Sequence, residues 1–252
     1  MKTSTENALT KVPEVTLGFW LIKIAATTLG ETGGDAVSMS MNLGYLVGTG
    51  IFAVFFLATV FAQVKAKGFH PLLYWTTIIA TTTVGTTLAD FADRSLGIGY
   101  AGGSCLLLAL LVGSLLLWYR TLGSVSVSTV SSPKAEAFYW LTIMFSQTLG
   151  TALGDWTADT AGLGYTGAAV VFVALLAAVV AAYYWSSVSR TLLFWAAFIL
   201  TRPLGAVVGD FLDKPHNAGG LALSRYSASA ALLGFMLTAI LLFRQRPASA
   251  TH

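Results

Sequence analysis

The sequence is short of charge, of histidine and of cysteine: charged side chains make up only 10% of its 252 residues, with three histidines and one cysteine, Cys105. One cysteine inside an apolar run excludes a disulfide framework and a thiolate metal cluster, and leaves the redox compartment unspecified. His70, His216 and His252 fall in loops or the tail, which argues against imidazole ligation of a metal. No glycine-rich phosphate loop, soluble catalytic domain or basic-aromatic patch is present, so the formal charge of +3 does not point to nucleotide or nucleic acid. A cleavable leader is not expected either. The first apolar run starts near Val15, behind a tail with Lys2, Glu6, Lys11 and Glu14, and carries Lys23 within it, so it reads as a retained span.

What the chain has in plenty is apolar surface: 56% of residues are hydrophobic and the mean hydropathy is +0.74, more than one water-soluble core can bury. Apolar segments long enough to cross a hydrocarbon core of about 30 Å run near 15–36, 44–64, 71–92, 99–119, 137–158, 164–186, 190–211 and 226–243. The expected fold is therefore an all-α polytopic membrane protein with eight transmembrane helices.

Those helices fall into four repeats. Trp20, Trp75, Trp140 and Trp195 are each followed ten residues later by Gly30, Gly85, Gly150 and Gly205, and fifteen later by Asp35, Asp90, Asp155 and Asp210. A fixed spacing repeated in this way sets the architecture before any propensity argument. The repeats lie 55, 65 and 55 residues apart, and the extra ten fall in a Ser/Thr/Val stretch ending at Pro133-Lys134. The domains expected are a first half over 1–122, a linker over 123–134 and a second half over 135–252. Two spans per repeat make the repeats parallel about an axis along the membrane normal, with every aspartate at one face. The opposite face holds Lys2, Lys11, Lys65, Lys67, Arg120, Lys134, Arg190, Arg244 and Arg246, against Arg94, Lys214 and Arg225 on the aspartate face, which places both termini in the cytoplasm.

Fifteen helical residues past an interfacial tryptophan set each aspartate roughly 22 Å along, still at hydrocarbon depth. Each has a second acid one turn away on the same face: Glu31 with Asp35, Asp90 with Asp93, Asp155 with Asp159, Asp210 with Asp213. An ionised carboxylate at that depth costs about 2.5–3.5 kcal/mol even on the lenient insertion scale, so cations, shared protons or basic partners must compensate. Lys23 and Arg202 are the intramembrane bases expected as counter-ions; the other repeats carry Ile78, Ile143 and Phe198 at the first position, and Thr27, Thr82 and Gln147 at the second. Thr28, Thr83 and Thr148, seven residues before their aspartates, add hydroxyls to the same face. An all-oxygen set of this kind suits a hard cation such as Mg²⁺, Ca²⁺ or Mn²⁺. Acids at span ends also commonly face headgroup water, and tryptophans at such positions anchor or pack rather than touch ligand.

The elements Phe19-Trp20, Tyr74-Trp75, Tyr139-Trp140 and Phe194-Trp195, with the Gly-x₄-Asp spacing, give the chain a resemblance to a family of bacterial inner-membrane proteins. These carry four tandem repeats of unknown function and are often labelled "membrane-anchored protein". That resemblance covers essentially the whole chain and implies a bacterial inner-membrane location without an activity. Glu31-Thr32-Gly33-Gly34-Asp35, Asp93-Arg94 and Asp213-Lys214 are more weakly similar to the Glu-x-Gly-Asp-Lys/Arg element of manganese and calcium exporters. The function expected is a secondary transporter, not an enzyme, carrying a small, divalent cation on Asp35, Asp90, Asp155 and Asp210 with proton coupling. A divalent ion is then substrate rather than resident cofactor, and the partners are the bilayer, that cation or a small molecule, and further copies of the chain. The alternatives are an organic substrate recognised by Lys23 and Arg202, an intramembrane aspartyl hydrolase, and a non-transporting assembly protein.

Overall fold

A computed structural model describes residues 10–248; Lys2, Glu6 and His252 lie outside the described residues. Eight long helices follow the apolar runs: α1 (Leu17–Asp35), α2 (Gly44–Lys65), α3 (Pro71–Asp90), α4 (Tyr100–Leu122), α5 (Pro133–Asp155), α6 (Gly164–Trp185), α7 (Arg190–Asp213) and α8 (Arg225–Leu242). Their starts are encoded locally. The Thr16 hydroxyl accepts from Phe19 N at α1, Ser132 accepts from Ala135 N at α5, and Pro71 and Pro133 occupy first-turn positions where no amide hydrogen is needed.

The odd-numbered helices form an inner ring in the order α1, α3, α5, α7 and back to α1. Each even helix packs outside the next repeat's inner helix: α2 on α3, α4 on α5, α6 on α7 and α8 on α1. The two halves expected from the sequence therefore close into one ring, with α3 meeting α5 and α7 meeting α1. The linker between them is docked, with Val127 and Val130 buried beneath the Thr10 hydroxyl, which donates to both their carbonyls.

Helices α2, α4, α6, α7 and α8 are long and apolar enough to cross a membrane, with mean hydropathies of 2.1, 2.1, 2.3, 1.7 and 1.5. In α2 and α6 only 11% of the most apolar window is buried, so Leu46, Val54, Leu57, Val170 and Val173 face outward. Apolar surface exposed on this scale marks contact with lipid. The chain is a membrane protein. Helices α1, α3 and α5 are less apolar because they carry threonines, glycines and acids, and these are buried inside the ring.

Cyclic contacts explain the repeated residues. The aromatic residue before each tryptophan packs on the tryptophan of the next repeat: Phe19 on Trp75 at 5.4 Å between centroids, Tyr74 on Trp140 at 5.8 Å, Tyr139 on Trp195 at 6.3 Å, and Phe194 on Trp20 at 6.0 Å. Trp75, Trp140 and Trp195 are thus core residues rather than interface anchors. The glycines ten residues on sit where neighbouring helices touch. A Cβ on Gly30 would lie 1.6 Å from Thr82 Oγ1, on Gly85 3.0 Å from the Gln147 backbone, on Gly150 2.2 Å from Arg202 Cγ, and on Gly205 2.1 Å from Thr27 Oγ1. A side chain at Gly30, Gly150 or Gly205 would force a neighbour to move, and one at Gly85 would be tightly packed.

Positions four residues apart return to nearly the same helix face, so the ring is built in layers. From the tryptophan end they are Phe19, Tyr74, Tyr139, Phe194; Lys23, Ile78, Ile143, Phe198; Thr27, Thr82, Gln147, Arg202; Glu31, Thr86, Thr151, Ala206; and Asp35, Asp90, Asp155, Asp210. None of these side chains is more than 4% exposed. The interior therefore grades from aromatic at one end to acidic at the other.

Candidate functional site

The acidic layer lies where the inner helices change character. Just past Asp35, Asp90 and Asp155 the backbone widens into π-helical turns, Ala36–Ser40, Phe91–Ser95 and Trp156–Thr160, a distortion frequent at functional sites. In repeat four α7 instead runs on to Asp213 and a longer loop containing Pro215 and the left-handed Gly219 and Ala222.

Two basic side chains clasp the four aspartates in pairs. Arg94 reaches Asp90 at 3.0 Å and Asp155 at 3.1 Å, and also donates to the hydroxyls of Tyr100 and Tyr45. Lys214, the matching residue of repeat four, reaches Asp210 at 2.8 Å and donates to Asp35, with Asp213 at 3.7 Å. Each clasp joins an aspartate four residues back to one on the neighbouring inner helix. Arg225, which has no basic counterpart in the other repeats, holds Asp213 at 2.7 Å, approaches Asp35 at 3.8 Å and donates to Ser40. A cleft of about 360 Å³ lined by Ser40, Asp213, Ser224, Arg225 and Tyr226 opens beside this seam.

One layer deeper, Arg202 is wholly buried and its Nη2 donates to Glu31 at 2.9 Å, to Thr86 at 2.6 Å and to Thr151. One guanidinium thereby ties α7 to the other three inner helices. Oxygens of Glu31, Asp35 and Asp210 come within 4.8 Å of one another, close enough to share a single cation.

Several sequence expectations need correction. Among the described residues Lys23 meets no carboxylate; its ammonium lies 4.1 Å from the centre of the Phe198 ring. Thr28, Thr83 and Thr148 donate to the carbonyls of Ile24, Ile79 and Met144 on their own helices instead of facing the acids, since a helical threonine readily bonds one turn back. Asp159 is exposed and apart from the cluster, whereas Asp93 and Asp213 are buried at 8%. Asp93 takes no part in these ion pairs. Arg94 and Lys214, placed on the aspartate face from the sequence, are the counter-ions that Lys23 was expected to be. The i, i+4 spacing from Asp90 to Arg94 and from Asp210 to Lys214 is the signal that identifies them. The tyrosines ten residues past Asp35 and Asp90 prove to be clasp contacts, and nothing in the sequence marks Arg225.

No curated protein and no solved structure matches the chain. One family does, four times over, at residues 18–69, 73–124, 138–189 and 193–247, each match opening at a tryptophan-bearing inner helix and closing past its outer partner. With those matches spanning most of its length, the chain belongs to the family described as Repeat of Unknown Function (DUF347).

Proposed function

We propose that this protein is a secondary transporter of a small cation, divalent and manganese-like, in a bacterial inner membrane. All eight helices cross the bilayer and both termini face the cytoplasm. One observation carries the reading. Six buried carboxylates (Glu31, Asp35, Asp90, Asp155, Asp210, Asp213) share four cationic groups (Arg94, Arg202, Lys214, Arg225), a surplus of two negative charges, with Asp93 buried outside these pairs. Such a surplus calls for bound cations or protons.

Glu31, Asp35 and Asp210 are the ligands, and Lys214 is a tethered cation that occupies the cation's place at Asp35 and Asp210 until an ion or proton replaces it. The cleft beside Arg225 is the route from the non-cytoplasmic side. An aspartyl hydrolase needs two carboxylates sharing a proton, and here a base stands between the members of each pair. The test is flux in proteoliposomes. Mn²⁺, Mg²⁺ or Ca²⁺ should move with the parent and not with Asp210→Asn, and flux of none of the three through the parent would refute the proposal.

A further inference from the structure

A second set of buried charges lies deeper, and the carboxylates do not account for it. Lys23 is wholly buried, and its ammonium has no hydrogen-bond partner among the described residues; the Phe198 ring is its only described contact. A desolvated cation–π contact is worth about 2 kcal/mol, well short of the several kcal/mol a buried ammonium loses on leaving water. Arg202 spends only Nη2 on Glu31, Thr86 and Thr151, which leaves Nε and Nη1 unpaired, and both amide atoms of the wholly buried Gln147 are unpaired too.

These three residues come together by construction. Gln147 and Arg202 belong to one layer of the inner ring, and Lys23 to the layer below, about 6 Å along the axis for four residues. The unpaired groups are three ammonium hydrogens, three guanidinium hydrogens and two amide hydrogens, against one amide oxygen. What satisfies them must be an acceptor. Charge says the same: Arg202 is paired with Glu31, while Lys23 has no carboxylate partner among the described residues.

We propose that the centre of the bundle binds a small monovalent anion, held by Lys23, the Nε and Nη1 of Arg202, and Gln147. A halide, a small oxyanion and the carboxylate of an organic molecule share this chemistry. The site adjoins the cation ligands at one point, where Arg202 Nη2 donates to Glu31, but it does not depend on the transport reading.

The experiment is thermal unfolding of the purified full chain in detergent. N-methylglucamine Hepes serves as baseline, and the bulky Hepes anion is replaced by chloride, nitrate or acetate up to about 100 mM at constant cation. The three arms separate halide, oxyanion and carboxylate. At least one should raise the parent's midpoint by several degrees. Lys23→Met should lose that shift, and in the baseline buffer should melt no lower than the parent because an unpaired buried charge is gone. Gln147→Leu, which keeps both charges, should move the anion concentration at half-effect by about tenfold, the equivalent of one lost hydrogen bond. No shift in the parent with any of the three anions would overturn the proposal. So would a shift retained in full by Lys23→Met, or, should that variant not fold, an unchanged half-effect concentration in Gln147→Leu.

Discussion

Replacing Lys214 by methionine separates a cation site from a set of structural ion pairs. Methionine keeps most of the buried stem and removes the ammonium that Asp35, Asp210 and Asp213 share. The lysine side chain is 12% exposed and the two aspartates are 1% and 4% exposed, so the pairs lie in a poorly screened setting. Breaking such a pair from one side costs about 3–5 kcal/mol. For a chain of this length 1 kcal/mol moves the melting midpoint by about 2–4 °C, so Lys214→Met in chelator should melt roughly 6–20 °C below the parent. A divalent cation should then recover much of that loss, because Asp35 and Asp210, two of the three carboxylates whose oxygens lie within 4.8 Å of one another, are no longer occupied by a tethered charge. An ion at a hundred times its dissociation constant contributes about 2.7 kcal/mol, or roughly 5–11 °C. In the parent the same ion must displace the ammonium, so its shift should be smaller. The assay is thermal unfolding of both proteins with chelator, Mn²⁺, Mg²⁺ and Ca²⁺. If Lys214→Met is destabilised as expected and no divalent ion restores it, the carboxylates bind no such cation and the reasoning fails.

Asp→Asn substitutions should group by shared clasp, Asp35 with Asp210 and Asp90 with Asp155, rather than by repeat correspondence, and cation-dependent midpoint shifts for the four single variants will show which grouping holds. Gly30→Ala should destabilise by about 1–3 kcal/mol through overpacking against Thr82, while Gly50→Ala on the outer helix α2, whose Cβ meets nothing within 4 Å, should stabilise by about 0.5–1 kcal/mol; equal effects in a melting assay would contradict the ring contacts. Reporter fusions at Ser126 and Asn217 should give cytoplasmic and external signals respectively, and the reverse would invert the topology. Lys214→Arg should keep the fold and lose flux, because a planar fork is slower to yield its place than a point charge, while Arg94→Lys should keep flux; the reciprocal result in proteoliposomes would move the transport site to the other clasp.

The parts of this molecule legible in its sequence are those governed by period. Tryptophan, glycine and aspartate recur at fixed spacing because each occupies the same place in a ring, and the repeat count, the helices and the common acidic end follow from that alone. Periodicity within one repeat does not say which helix the next one touches, so the packing of α2 on α3 rather than on α1 was not legible. Nor was the fate of the threonines: spacing puts Thr28 on the aspartate face, yet its hydroxyl is consumed by Ile24 O. The reach of Lys214 to Asp35 was not legible either, because it follows the end of α7 and only the loop through Gly219 and Gly220 folds it back over the neighbouring helix. Gly220 packs so closely on Lys214 that a Cβ there would sit 2.1 Å from its carbonyl oxygen.

The two clasps are equivalent by repeat, and their differences locate the proposed transport path. At the seam of α3 and α5 the cation is Arg94, whose planar fork spans two aspartates and two tyrosine hydroxyls, an arrangement suited to holding still. At the seam of α7 and α1 the cation is Lys214, a compact charge on a flexible stem. Most departures from fourfold repetition also gather there: Glu31 where the other repeats carry threonine or alanine, Arg202 beneath it, Arg225, and the lengthened loop that opens the cleft beside Asp213. A symmetric ring needs none of these to stand. Static ion pairs would be served equally well by two copies of the Arg94 arrangement, so the concentration of movable charge, extra carboxylate and solvent access at one seam argues that the repeats supply the frame. On the proposed reading, the seam between the first repeat and the last supplies the work.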